Sequence, residues 1–127
     1  MIQRIQTVYL FVSVVTIGII AYLLQQQMQL MNGNFALAVL SALGVVFLLN
    51  LFTILLFKNR KLQSSLLLIS LLIQLITVAG MAYGMLQLKY PILIPICVTS
   101  AVVICTVLAR KGILADEKIV RSMDRLR

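Results

Sequence analysis

Four stretches of this chain carry no charged side chain, and each is long enough to cross a lipid bilayer. They cover residues 7–24, 35–57, 66–86 and 91–108. At 1.5 Å rise per residue, about 17–25 apolar residues cross a hydrocarbon core roughly 30 Å thick. In lipid every backbone polar group must be bonded within the chain, so only helices or a closed barrel can span. Barrel strands would alternate apolar and polar side chains, and these runs do not. The expected fold is therefore all-α: an integral membrane bundle of four helices. Composition agrees, with 62% apolar and 11% charged residues, against about 25% charged in a soluble domain. The first run is too long for a signal-peptide core. QQQMQLMNGN after it offers no small-residue cleavage pattern, so the run is read as retained.

The connections at 25–34, 58–65 and 87–90 are short, which makes consecutive helices antiparallel neighbours and the bundle up-down. Basic residues decide its orientation. Arg4, Lys58, Arg60, Lys61 and the six from Arg110 to Arg127 fall on one side, and only Lys89 on the other. The positive-inside rule then puts both termini and the central KNRKLQSS loop in the cytoplasm. Tyr9 near the inner boundary, and Tyr22, Tyr83 and Tyr90 near the outer one, suit the aromatic belts of an interface. A net charge of +8 serves that topology. No basic groove with interleaved aromatics is present, so nucleic acid is not an expected partner.

Two amides lie well inside the runs, Asn50 and Gln74. Counted from the two ends of the central loop, Lys58 and Ser65, they sit at similar depth on two helices joined by that loop. An interhelical hydrogen bond between them is expected, with a polar substrate site shared with Thr16, Thr99 and Ser100 as the alternative. Gly80 and Gly84 form a GxxxG match in the outer half of the third run. It is expected to pack closely against the second helix near Ala38, Ser41, Ala42 and Gly44, or else to mediate self-association. Pro91 and Pro95 fall at the start of the fourth helix, where a missing N–H costs little. Gly112, just after Arg110 and Lys111, reads as its stop signal.

The last residues, ADEKIVRSMDRLR, contain all three acids of the chain. On a helical wheel Ala115, Ile119, Met123 and Leu126 share one face, with charges on the others. Glu117 precedes Arg121 by four residues, the better order for a helical ion pair. Asp116 and Glu117 sit in the first turn, where acids favour the helix dipole. A cytoplasmic amphipathic helix is expected over about 115–127, lying on membrane lipid or docking a partner. A lipid-binding helix is usually more basic and bulkier.

The blocks MIQRIQTVYL, LFKNRKLQ and ADEKIVRSMDRLR resemble those of a membrane-protein family of Bacteroidota catalogued as domain of unknown function 4293. The resemblance runs the length of the chain and implies a bacterial inner-membrane location. It supplies no activity. It does imply that Arg4, Asn59, Arg60, Lys61, Asp116, Glu117, Arg121, Asp124 and Arg125 belong to shared blocks on one side of the membrane.

Chemistry is scarce. The chain has no histidine, and its two cysteines, Cys97 and Cys105, lie about 12 Å apart along one helix, too far to pair within it. No metal, cofactor or catalytic residue is expected, nor is an enzyme. An ion-coupled carrier needs an ionisable group inside the membrane, and these runs hold none. The expectation is a non-catalytic inner-membrane protein, an accessory or assembly subunit that docks another membrane protein through its cytoplasmic face. The alternatives are a stand-alone homo-oligomer and a small-molecule transporter. On the first reading Arg4, Arg60, Lys61, Asp116, Glu117, Arg121, Asp124 and Arg125 contact the partner or the lipid surface.

Overall fold

The computed structural model describes residues 2–27, 29, 31–56 and 59–125, apart from the side chains of Ile2, Gln3, Arg4, Arg60 and Asp124. Four helices account for nearly all of them: α1 Ile2–Gln27, α2 Gly33–Leu55, α3 Arg60–Gln87 and α4 Leu93–Asp124. Each is long and apolar enough to cross a membrane. They pack in a ring, α1 against α2 and α4, and α3 against α2 and α4. That is the four-helix bundle expected from the runs and their short connections.

Helices α1, α3 and α4 are longer than their charge-free stretches because their flanks are good helix formers or are tied down. Gln25, Gln26 and Gln27 continue α1. Before Leu66, α3 takes in RKLQSS, and there the Gln63 Nε2 amide donates to the Thr53 carbonyl at 3.1 Å. That bond satisfies one of the carbonyls left open at the end of α2. Between α3 and α4, Lys89 turns the chain with φ 55°, while the Gly84 carbonyl accepts from the N–H groups of Leu88 and Tyr90. Pro95 lies in the first turn of α4, where its missing donor costs nothing.

Buried positions recur at alternating steps of three and four. On α2 they are Ala36, Val39, Leu43, Val46, Asn50 and Thr53. On α4 they run Pro95, Thr99, Val102, Thr106, Ala109, Ile113 and Asp116, with Ile92 just before the helix, and on α1 Gln6, Leu10, Ser13, Ile17, Ile20 and Leu24. This is the 3.5-residue seam of helices packed almost parallel to a bundle axis. The outward faces carry Phe11, Ile19, Leu37, Leu48, Ile76, Leu86 and Ile104, all exposed. An exterior that apolar suits lipid as its solvent.

One expectation is overturned. Gly112 does not end the fourth helix, because α4 is continuous from Leu93 to Asp124. A glycine ends a helix when the chain turns left-handed there, and among the described residues no glycine has a positive φ. The tail is the last part of α4 itself.

Candidate functional site

Three places carry the polar and small residues singled out in the sequence. The first is inside the bundle. Its apolar core falls into two clusters, one on the Lys89 side that reaches down to Ile17, Val46 and Val102, and one on the side of the termini made of Leu10, Leu67, Ala109 and Ile113. Between them every helix contributes polar side chains: Ser13 from α1, Asn50 from α2, Ser70 and Gln74 from α3, and Thr106 from α4. All are 0–1% exposed. Asn50 Nδ2 donates to Ser13 Oγ at 3.3 Å, and Ser13 Oγ donates to the Leu10 carbonyl at 2.7 Å. Thr106 Oγ1 lies 3.0 Å from Gln74 Oε1 and 2.8 Å from the Val103 carbonyl, and shares its one proton between them. Ser70 Oγ donates to the Leu67 carbonyl at 3.0 Å.

The expected Asn50–Gln74 bond is therefore replaced by two others, one tying α2 to α1 and one tying α3 to α4. Register is the reason. The α2–α3 interface is pinned by Gln63 on Thr53 and by Phe35 over Gly84. Those pairings set Asn50 opposite about residues 66–69 of α3, so Gln74 sits roughly 7–12 Å nearer the Lys89 end of the bundle. Thr16, Thr99 and Ser100 spend their hydroxyl protons on carbonyls of their own helices. The sequence reading missed Ser13, Ser70 and Thr106. Heptad spacing carries the signal for them: Gln6 to Ser13, Ser70 to Thr77 and Thr99 to Thr106 are each seven residues apart.

The second place is the end of the α2–α3 interface where α2 starts and α3 finishes. A Cβ on Gly84 would lie 2.6 Å from the Phe35 ring, whereas one on Gly80 would meet nothing within 4 Å. Phe35 in turn packs on Tyr90, ring centroids 5.5 Å apart, and the Asn32 N–H donates to the Tyr90 hydroxyl at 3.0 Å. Only Gly84 of the GxxxG match is thus a contact with α2, and its partner is a ring rather than backbone.

The third place is the end where α1 starts and α4 finishes. Gln6 Nε2 donates to Asp116 Oδ2 at 3.0 Å in a buried contact. The space for it comes from Gly112, where a Cβ would lie 2.8 Å from Gln6 Cγ. Gly112 is thus a notch in α4 that lets the Gln6 side chain cross to a carboxyl one turn on. Farther along, Arg121 Nη2 donates to Glu117 Oε1 at 2.6 Å, the ion pair expected from the spacing. Asp116 is 9% exposed, so it faces α1 rather than a partner. Lys61, Arg121 and Arg125 are exposed. The side chains of Arg4, Arg60 and Asp124, together with Leu126, lie outside the described residues. Ile119, Val120 and Met123 are all exposed; Val120 and Met123 continue the four-and-three steps of the buried α4 face beyond Asp116. Among the described residues no group of His, Cys, Asp or Glu is placed to hold a metal.

Four apolar helices around a buried polar belt define a multi-pass membrane protein of the four-helix-bundle class. The chain belongs to the family described as Domain of unknown function (DUF4293), which matches residues 16–126. The opening block MIQRIQTVYL lies outside that match. No curated protein and no solved structure matches the chain.

Proposed function

We propose that this protein is a non-catalytic accessory or assembly subunit of a larger inner-membrane complex. Both of its termini are cytoplasmic, and it docks its partner through the cytoplasmic end of α4. The carrying observation is the continuity of that helix. Its 32 residues extend about 48 Å, against a hydrocarbon core of roughly 30 Å. The excess is a rigid arm rather than a hinged amphipathic segment. Gln6 holds the arm to α1 at Asp116, and beyond that point it presents Ile119, Val120 and Met123 beside Lys118, Arg121 and Arg125. A groove lined by Leu114, Glu117, Lys118, Arg121, Ser122 and Arg125 runs along one face of it. Exposed apolar side chains framed by charges suit a protein partner better than a headgroup layer.

The test exchanges two charges. The double variant Glu117→Arg with Arg121→Glu keeps composition, net charge and an i,i+4 pair, so attraction to anionic lipid changes little. On the helix itself reversing the pair costs only a few tenths of a kcal/mol, about the value of an exposed ion pair. At a docked surface misplaced charges cost roughly several kcal/mol. The expected outcome is normal insertion with at least about tenfold lower recovery of a stoichiometric partner from detergent extracts, quantified by mass spectrometry. Undiminished recovery rejects docking through this face, and self-association as the sole interaction replaces the reading with a homo-oligomer.

A further inference from the structure

The buried seam of α4 through Ala109, Ile113 and Asp116 leaves the opposite side of the helix turned away from the bundle. Its outermost row is spaced by sevens: Cys97, Ile104, Lys111, Lys118 and Arg125, all exposed. The row is apolar at its first two positions and cationic at the next three. A helix side that faces lipid changes character in this way where it leaves hydrocarbon for headgroups. Beside the row stand Arg110, partly buried, and Leu114, exposed. The acids keep to the other side. Asp116 is buried against Gln6, and Glu117 is held by Arg121 at 2.6 Å. No acid falls on the outermost row or on the rows flanking it, Leu114 with Arg121 and Ala115 with Ser122. Orientation alone does not require that sorting, because the positive-inside rule counts cations near the ends of a span whatever face they occupy.

Height fits as well. Lys111 and Lys118 lie about 10 Å apart along the helix axis. A headgroup layer is roughly 5–8 Å thick on each side of the hydrocarbon core, and long cationic side chains snorkel toward it. Arg110 and Lys111 reach it from the hydrocarbon side and Lys118 from the aqueous side, with Leu114 between them against the acyl chains. We propose that Arg110, Lys111 and Lys118 form a headgroup site for an anionic phospholipid on the outward side of α4. The occupant is a lipid and not a free phosphate, because the cationic row continues an apolar, lipid-facing one and holds Leu114 at its flank. Arg121 is left to Glu117. Ile119, Val120 and Met123 lie off these rows, so a docked partner and a bound lipid do not compete for them.

The test offers the purified full chain equal amounts of phosphatidylglycerol and phosphatidylcholine with the same acyl chains, and counts retained lipid by native mass spectrometry. One cation near an anionic lipid surface favours binding about fivefold, so three should give a preference for phosphatidylglycerol of at least about tenfold. The variant Arg110→Gln, Lys111→Gln, Lys118→Gln is expected to lose most of it. The variant Arg4→Gln, Arg60→Gln, Lys61→Gln removes the same charge from the same side and is expected to keep it. No preference in the unsubstituted chain, retention in the first variant, or equal loss in both overturns the proposal. A second measurement needs no substitution and so is not obscured by a folding defect. Phosphatidylglycerol with a photoreactive headgroup should cross-link within residues 110–122, and labelling confined to other segments overturns the site. Neither measurement involves a partner protein, so the outcome is independent of whether one docks.

Discussion

Gly80 and Gly84 look equivalent as letters and differ in consequence. A methyl at Gly80 enters open space and replaces glycine by the best helix former. A methyl at Gly84 strikes the Phe35 ring, which is already packed on Tyr90. Gly80→Ala is expected to leave stability unchanged or slightly raised, and Gly84→Ala to lower it by about 1–3 kcal/mol, the usual cost of overpacking. Denaturant unfolding in detergent measures both, and Phe35→Leu should recover part of the Gly84→Ala loss. The Gln6–Asp116 contact makes a second residue-scale case. A hydrogen bond to a buried carboxyl is worth about 1–3 kcal/mol, so a double-mutant cycle of Gln6→Ala and Asp116→Ala should show coupling of that order. Additive losses would mean that the bond contributes nothing beyond packing.

Among the elements, α4 departs furthest from what its residues suggest. Gly112 after two basic residues has the look of a helix end, yet the helix needs no end there. Its hydrogen-bond ladder continues, and the missing side chain admits Gln6. A glycine inside a helix costs about 0.5–1 kcal/mol relative to alanine, which the buried bond to Asp116 offsets. Continuity is testable with spin labels at the exposed positions Ile104 and Ile119. A straight helix places them about 22 Å apart along its axis, so a single narrow distance distribution is expected. A broad or markedly shorter one would restore a break near Gly112.

For the molecule as a whole, ten basic residues on one side against one on the other predict an N-in, C-in protein. A periplasm-active reporter inserted at Gln29 should be active and one at Asn59 silent. Asn59 is preferable to the neighbouring Gln63, whose amide closes the end of α2. Activity at Asn59, or silence at Gln29, contradicts the orientation. Large aliphatic side chains cover the outside as well as most of the interior, whose middle layer alone is amide and hydroxyl. In lipid the apolar exterior provides no drive to associate, so interhelical bonds such as Asn50 to Ser13 and Thr106 to Gln74 contribute to holding the ring together.

Much of this was legible in the chain alone. Charge-free runs of bilayer length leave helices as the only spanning structure once barrels are excluded, and short connections leave an up-down ring. The Glu117–Arg121 pair also follows from spacing, because four residues along a helix bring two side chains together whatever surrounds them. Tertiary structure decided whatever depends on register between helices. Apolar runs mark where helices cross lipid but not where they begin, and α3 starts before Leu66. Depths counted from the ends of the central loop therefore misplace Gln74 relative to Asn50 by roughly 7–12 Å along the axis. Asn50 meets Ser13 and Gln74 meets Thr106 because packing sets axial offsets that no single helix encodes. Gly112 is a notch rather than a stop for the same reason: the side chain that fills it comes from Gln6, at the far end of the sequence.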